Sequence, residues 1–101
     1  MSAENSLLQK VKKWAKSTLP GVLRKNHGSV YTGSGWPDIE YHEKGCTIFV
    51  ELKAPGKDLS KPQKAKFKEL RKAGMTCEKV DNMEWFVVVV SRWRRLELGE
   101  R

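Results

Sequence analysis

Apolar residues recur at helical spacing over residues 6–18, with Leu7, Leu8, Val11, Trp14 and Ala15 on one side and Lys10, Lys12, Lys13 and Lys16 on the other. That pattern predicts an amphipathic basic helix, stopped by Pro20-Gly21. Residues 22–31 alternate poorly and end in Val30 and Tyr31, which predicts an irregular first strand followed by a turn at Gly33-Ser34-Gly35. From 37 to 53 the period drops to two, because Ile39, Tyr41, Ile48, Val50 and Leu52 alternate with polar residues.

Lys44-Gly45 lies at the centre of this stretch and predicts the tip of a tight hairpin. In that register Glu43 faces Cys46, Tyr41 faces Ile48, and Asp38 faces Glu51. One face is then built from Ile39, Tyr41, Cys46, Ile48, Val50 and Leu52. The other carries Asp38, Glu40, His42, Phe49, Glu51 and Lys53, with the Asp38 and Glu51 Cβ atoms roughly 5 Å apart.

Pro55-Gly56 ends the strand, and Ser60-Lys61-Pro62-Gln63 has the Ser-x-x-Gln form of a capping box. The helix it opens runs to about Ala73, with Phe67 and Leu70 inward, lysines over most of the rest, and Gly74 placed for a C-terminal cap. Thr76 to Val80 reads as a short strand. In the last segment Phe86 to Val90 has the residue types of a buried strand, yet Asp81-Asn82 with Glu84 is a helix start. Valine disfavours a helix by only a few tenths of a kcal/mol, so a helix over 82–96 is the preferred reading.

Composition narrows the classes. A chain of 101 residues fits one domain, 1–101, and its hydrophobic content of 39% can fill a modest core. No apolar run approaches the ~18 residues of a membrane-spanning helix, and Met1 to Asn5 lacks the pattern of a secretory signal, so the expected compartment is the reducing cytosol and no membrane partner is expected. Cys46 and Cys77 have neither a second cysteine nor a histidine at zinc-site spacing and read as small core residues. A net charge of +8 makes a polyanion, above all nucleic acid, the first partner to consider.

Like charges directly opposite in a sheet are destabilising, so the Asp38–Glu51 pair needs an offset. A hard divalent cation, Mg²⁺ or Mn²⁺, is the economical one, since it takes carboxylate oxygens and leaves positions for a phosphate. Lys53, on the same face two residues beyond Glu51, could then hold or polarise an attacking water. The three together suit phosphodiester hydrolysis on a basic surface. Taken alone, Glu-x-Lys is also a common solvated-strand pattern.

Gly35-Trp36-Pro37-Asp38-Ile39, then Phe49-Val50-Glu51-Leu52-Lys53-Ala54-Pro55-Gly56, then Leu59-Ser60 and Gln63, resemble the virus-type replication-repair nuclease (VRR-NUC) branch of the PD-(D/E)xK nuclease superfamily over roughly residues 4 to 81. The resemblance implies an α/β fold, a minimal restriction-endonuclease-like core with a small mixed sheet flanked by helices. It also implies a metal site at Asp38, Glu51 and the Leu52 carbonyl, Lys53 as the catalytic lysine, and Gln63 as a motif-associated glutamine whose capping position also gives it a structural task. A Glu on the first helix often completes such a site, and Glu4 is the acidic candidate there.

Lys25 and His27 precede the hairpin and are candidates for phosphate contact, with a solvated pair as the alternative. His42 is expected at the surface. Lys57, Lys61, Lys64 and the other helix lysines form the expected DNA-binding field, and Arg92, Trp93, Arg94 and Arg95 suit either DNA or an interface. Stand-alone chains of this size resemble phage or bacterial members, which implies branched DNA as substrate and Holliday-junction resolution as a homodimer, in a bacterial or phage-infected host. A helix apolar around its circumference over Trp85 to Val90 offers the dimer surface, for which Val88 and Val89 are the probes. The alternative is a non-catalytic basic DNA-binding module that keeps the fold.

Overall fold

The structure, a computed structural model, describes residues 2–26 and 35–99. Its elements are α1 (Ala3–Thr18), β1 (Val22–Lys25), β2 (Ile39–Glu43), β3 (Cys46–Leu52), α2 (Lys61–Lys72), β4 (Thr76–Val80) and α3 (Met83–Leu98). The strands lie side by side in the order β1-β2-β3-β4. The first two pairings are antiparallel and β3–β4 is parallel, so the sheet is mixed as expected. The parallel pair demands a crossover, and α2 supplies it.

Each face is closed by different helices, because the two sets of alternating side chains are both apolar enough to need cover. Ile39, Tyr41, Ile48, Val50, Leu52 and Val80 pack against Leu7, Leu8 and Val11 of α1 and Phe86, Val89, Val90 and Trp93 of α3. On the opposite face Phe49 and Cys77 meet Phe67 and Leu70 of α2. Cys77 is buried, Cys46 is half-buried against the larger cluster, and both thiols are free.

Two boundaries differ from the sequence reading, and the ambiguous last segment is settled. The first helix starts at Ala3 rather than near residue 6, because the Ser2 hydroxyl accepts the Asn5 N–H and caps it. The first strand is four residues long and ends at Lys25, whereas Val30, Tyr31, Gly33 and Ser34 lie outside the described residues. The last segment is the preferred helix, opened by an Asn82 cap on Trp85 N–H and closed at Gly99 in the left-handed region.

One expectation about α3 needs correcting. Val88 is 48% exposed, but Val89 is 1% exposed and belongs to the core, so Val89 cannot probe a surface. The unburied stripe is Trp85, Val88 and Leu96. Glu43 is a further surprise: it is buried on the apolar face, where its Oε1 and Oε2 accept bonds from Arg94 Nε (2.9 Å) and Nη2 (3.0 Å), and its Oε1 also accepts the Tyr41 hydroxyl (2.5 Å). Arg94 holds its carboxyl below the usual range. The Tyr41 hydroxyl is pushed up to about 12, first by burial and then by Glu43, and it accepts the Gly21 N–H at 2.9 Å. Arg94 therefore joins α3 to the hairpin tip instead of reaching for a ligand.

Candidate active site

The site is built on the β2–β3 hairpin. Lys44 and Gly45 both have positive φ (51° and 79°), the turn whose twist matches the flanking strands. It sets the register Glu43↔Cys46, Tyr41↔Ile48 and Ile39↔Val50. One step further along, Asp38 stands opposite Glu51.

The two acids interlock through each other's backbones. Asp38 N–H donates to Glu51 Oε1 at 3.1 Å, and Leu52 N–H donates to Asp38 Oδ2 at 3.1 Å. Gln63 comes from α2 and bonds both to the helix cap and to the acid pair. Its Oε1 accepts Ser60 N–H (2.8 Å) and its N–H donates to Ser60 Oγ (3.3 Å), which completes the capping box. Its Nε2 donates to Glu51 Oε2 at 2.9 Å. Lys53 Nζ lies 3.9 Å from the same oxygen.

These contacts leave Glu51 only 3% exposed beside a second acid. Its carboxyl is pushed up to about 8, chiefly by burial and next by the charge and hydrogen bond of Asp38, with Lys53 pulling the other way. Two carboxyl groups are hard oxygen donors, and a carboxyl that keeps its proton because it is buried beside a second acid is one that a dication can ionise. The donor chemistry therefore fits a hard divalent cation. Among the described residues no three His, Cys, Asp or Glu side chains converge on one point.

Asp38 is also held from its N-terminal side. Asn26 donates from its backbone N–H to Asp38 O (2.6 Å) and from Nδ2 to Pro37 O (2.9 Å). Gly35 has φ of +83°, and a Cβ there would stand 2.2 Å from Pro62 O in the first turn of α2. Glycine is needed so that the segment leading to Asp38 can pass against the helix that carries Gln63.

The remaining expected residues scatter. Glu4 Oε1 accepts Ala54 N–H at 3.3 Å, at the rim of the site and without a bond to Asp38 or Glu51. Lys25 pairs with Ile39 in register and lines a cavity of about 430 Å³ under α1, on the face away from the carboxylates. His27 lies outside the described residues. Lys57, Lys61 and Lys64 are exposed between β3 and the first turns of α2, with Lys64 Nζ 3.0 Å from Asp58. His42 is half-exposed and bonds Thr47 Oγ1 at 2.7 Å. A cation missed in the sequence is Lys79, the register neighbour of Glu51 on β4, whose Nζ donates to Lys57 O at 3.0 Å. Only the parallel register reveals it.

No protein-family model matches the sequence, and no curated protein matches it. Solved structures do. One described as a VRR_NUC domain superposes with a TM-score of 0.79 at 21% identity, covering 92% of this chain and 99% of that one. A second, described as a VRR_NUC domain protein, gives 0.78 at 16% identity, covering 92% and 88%. At such identities the likeness is one of architecture, and this chain has the fold of the VRR_NUC domain.

Proposed function

We propose that the protein is a metal-dependent DNA endonuclease acting on branched DNA, with Holliday-junction resolution by a homodimer as its reaction. The observation that carries this reading is the convergence of Asp38, Lys53 and Gln63 on the buried carboxyl group of Glu51. Asp38, Glu51 and the Leu52 carbonyl would hold Mg²⁺ or Mn²⁺, with Glu4 at the margin. The bound ion would supply charge stabilisation at the phosphate. Lys53 positions and polarises the attacking water, and Gln63 fixes the carboxylate that orients Lys53. Lys57, Lys61, Lys64 and Lys79 hold the DNA backbone alongside.

Paired cuts across a junction need two such sites related by two-fold symmetry, and the exposed Trp85, Val88 and Leu96 stripe of α3 is the surface that would join them. The two free thiols suit a reducing cytosol, bacterial or phage-infected. No described helix is long and apolar enough to cross a membrane.

The test is cleavage of four-way junctions and linear duplexes with Mg²⁺ or Mn²⁺. The wild type should cut junctions symmetrically and Asp38→Asn should not. Lys53→Ala should keep DNA affinity within a few-fold while losing on the order of 10²-fold in cleavage. Tight binding with no cleavage by the wild type under either ion would instead identify a non-catalytic DNA-binding module.

A further inference from the structure

A second concavity lies on the sheet face that carries Asp38, and its side chains Trp36, Arg24 and Glu40 have no part in the hydrolysis described above. Trp36, two positions before Asp38, is 36% exposed. Its ring is nevertheless held in place. The Phe49 ring stands tilted against it at 58°, with centroids 5.9 Å apart, and Lys66 Nζ lies over the ring 5.0 Å from its centre. The backbone on either side is fixed by the close passage of Gly35 and the burial of Pro37.

Among the described residues, Trp36 shares the walls of a cavity of about 210 Å³ with Arg24, Asn26 and Glu40. Arg24 and Glu40 are register partners on β1 and β2, at positions alternating with the core side chains and so on the face that carries Asp38. Asn26 already uses its Nδ2 on Pro37 O. The cavity therefore combines a rigid aromatic wall with one cationic donor and one anionic acceptor. At about 210 Å³ it has room for a single flat heterocycle laid against the indole.

We propose that this cavity receives one nucleobase, unstacked from the DNA next to the cleaved phosphate, with Trp36 as its stacking platform and Arg24 and Glu40 at its polar edges. The proposal rests on the nuclease reading for the position of the phosphate and deepens it by naming the substrate class: DNA with an unpaired or easily unpaired nucleotide at the cut. Every base offers a flat face, so an indole platform is tolerant of sequence. Extruding a base is cheapest where pairing is already broken, so the same contact favours branch points over continuous duplex.

Binding and cutting of a set of four-way junctions, each with a single abasic nucleotide at a different position round the branch, test it. Affinities are measured in a Lys53→Ala background to keep the DNA intact, and cut sites are mapped with the wild type. One abasic position adjoining the cut should weaken binding about 10-fold or more. Trp36→Ala should lose a similar factor on intact DNA and should then be indifferent to that abasic nucleotide, whereas Trp36→Phe should respond as the parent does. A profile with no sensitive position, or losses from Trp36→Ala and the abasic nucleotide that simply multiply, would overturn the proposal. If Trp36→Ala loses its fold by circular dichroism, Trp36→Leu takes its place as the apolar, non-planar variant. Junction cutting with a flat abasic profile refutes the platform and keeps the nuclease. Trp36-dependent abasic sensitivity without cutting refutes the nuclease and keeps the platform.

Discussion

Replacing Glu51 by glutamine should change how metal-free stability depends on pH. In the folded protein this carboxyl keeps its proton to about 8 instead of the ordinary 4.5. The unfolded chain gives up that proton first, so the stability the group contributes is present below about 4.5 and is lost as pH rises to about 8. At about 1.36 kcal/mol per unit, the loss is on the order of 4 kcal/mol. For a chain of this length that corresponds to a fall in Tm of roughly 15 °C or more between pH 5 and pH 8.5. Glu51→Gln has nothing to titrate there, and its amide turns an N–H toward Gln63 Nε2, which costs about 1 kcal/mol. The two Tm curves should therefore cross, the variant being less stable at pH 5 and more stable at pH 8.5. Mg²⁺ or Mn²⁺ should raise the wild-type Tm at pH 8 and leave that of the variant alone. Scanning calorimetry at half-unit pH steps measures both. Parallel curves for the two proteins would show that Glu51 does not hold a proton for the reason given.

Five other substitutions separate the roles of neighbouring residues. Gly35→Ala meets Pro62 O at 2.2 Å and should lower Tm and displace Gln63, with cleavage falling alongside, whereas Gly45→Ala, which has open space, should show only the strain of a positive φ, about 1 kcal/mol; thermal melts of the two rank them. Glu43→Gln leaves the Arg94 guanidinium facing a neutral amide on a buried face and should lower stability by about 2 kcal/mol in urea unfolding at pH 7, a difference that narrows as acid protonates wild-type Glu43. Val88→Glu should keep the fold and give monomers by light scattering, whereas Val89→Glu should unfold; a folded Val89→Glu protein would contradict the packing of α3.

The hairpin was legible because a period of two, a two-residue tip and two opposed acids all agree on one register. α2 was legible because Ser60 and Gln63 write its cap in four residues. Glu43 was not: its position in the alternation put it on the apolar face, but its partner Arg94 is 51 residues away and nothing local joins them. Lys79 and the cavity at Trp36 were hidden for a similar reason, since one depends on a parallel register across a crossover and the other on where β1 runs. The valines of α3 were ambiguous because residue preference and capping disagreed. The core settled it by burying Phe86, Val89, Val90 and Trp93 at helical spacing.

Gln63 spends both ends of its amide, one on the Ser60 N–H and the other on Glu51. The first turn of α2 and the acid on β3 are thereby a single opening unit, although they belong to different elements. Helix ends fray on fast timescales, and each fraying of this end releases Glu51 from its orientation. The Ser60 amide proton becomes a reporter of the acid pair: its exchange with solvent should slow whenever something bound between Asp38 and Glu51 holds Gln63 in place, so a signal at a helix cap times the motion of groups on the sheet.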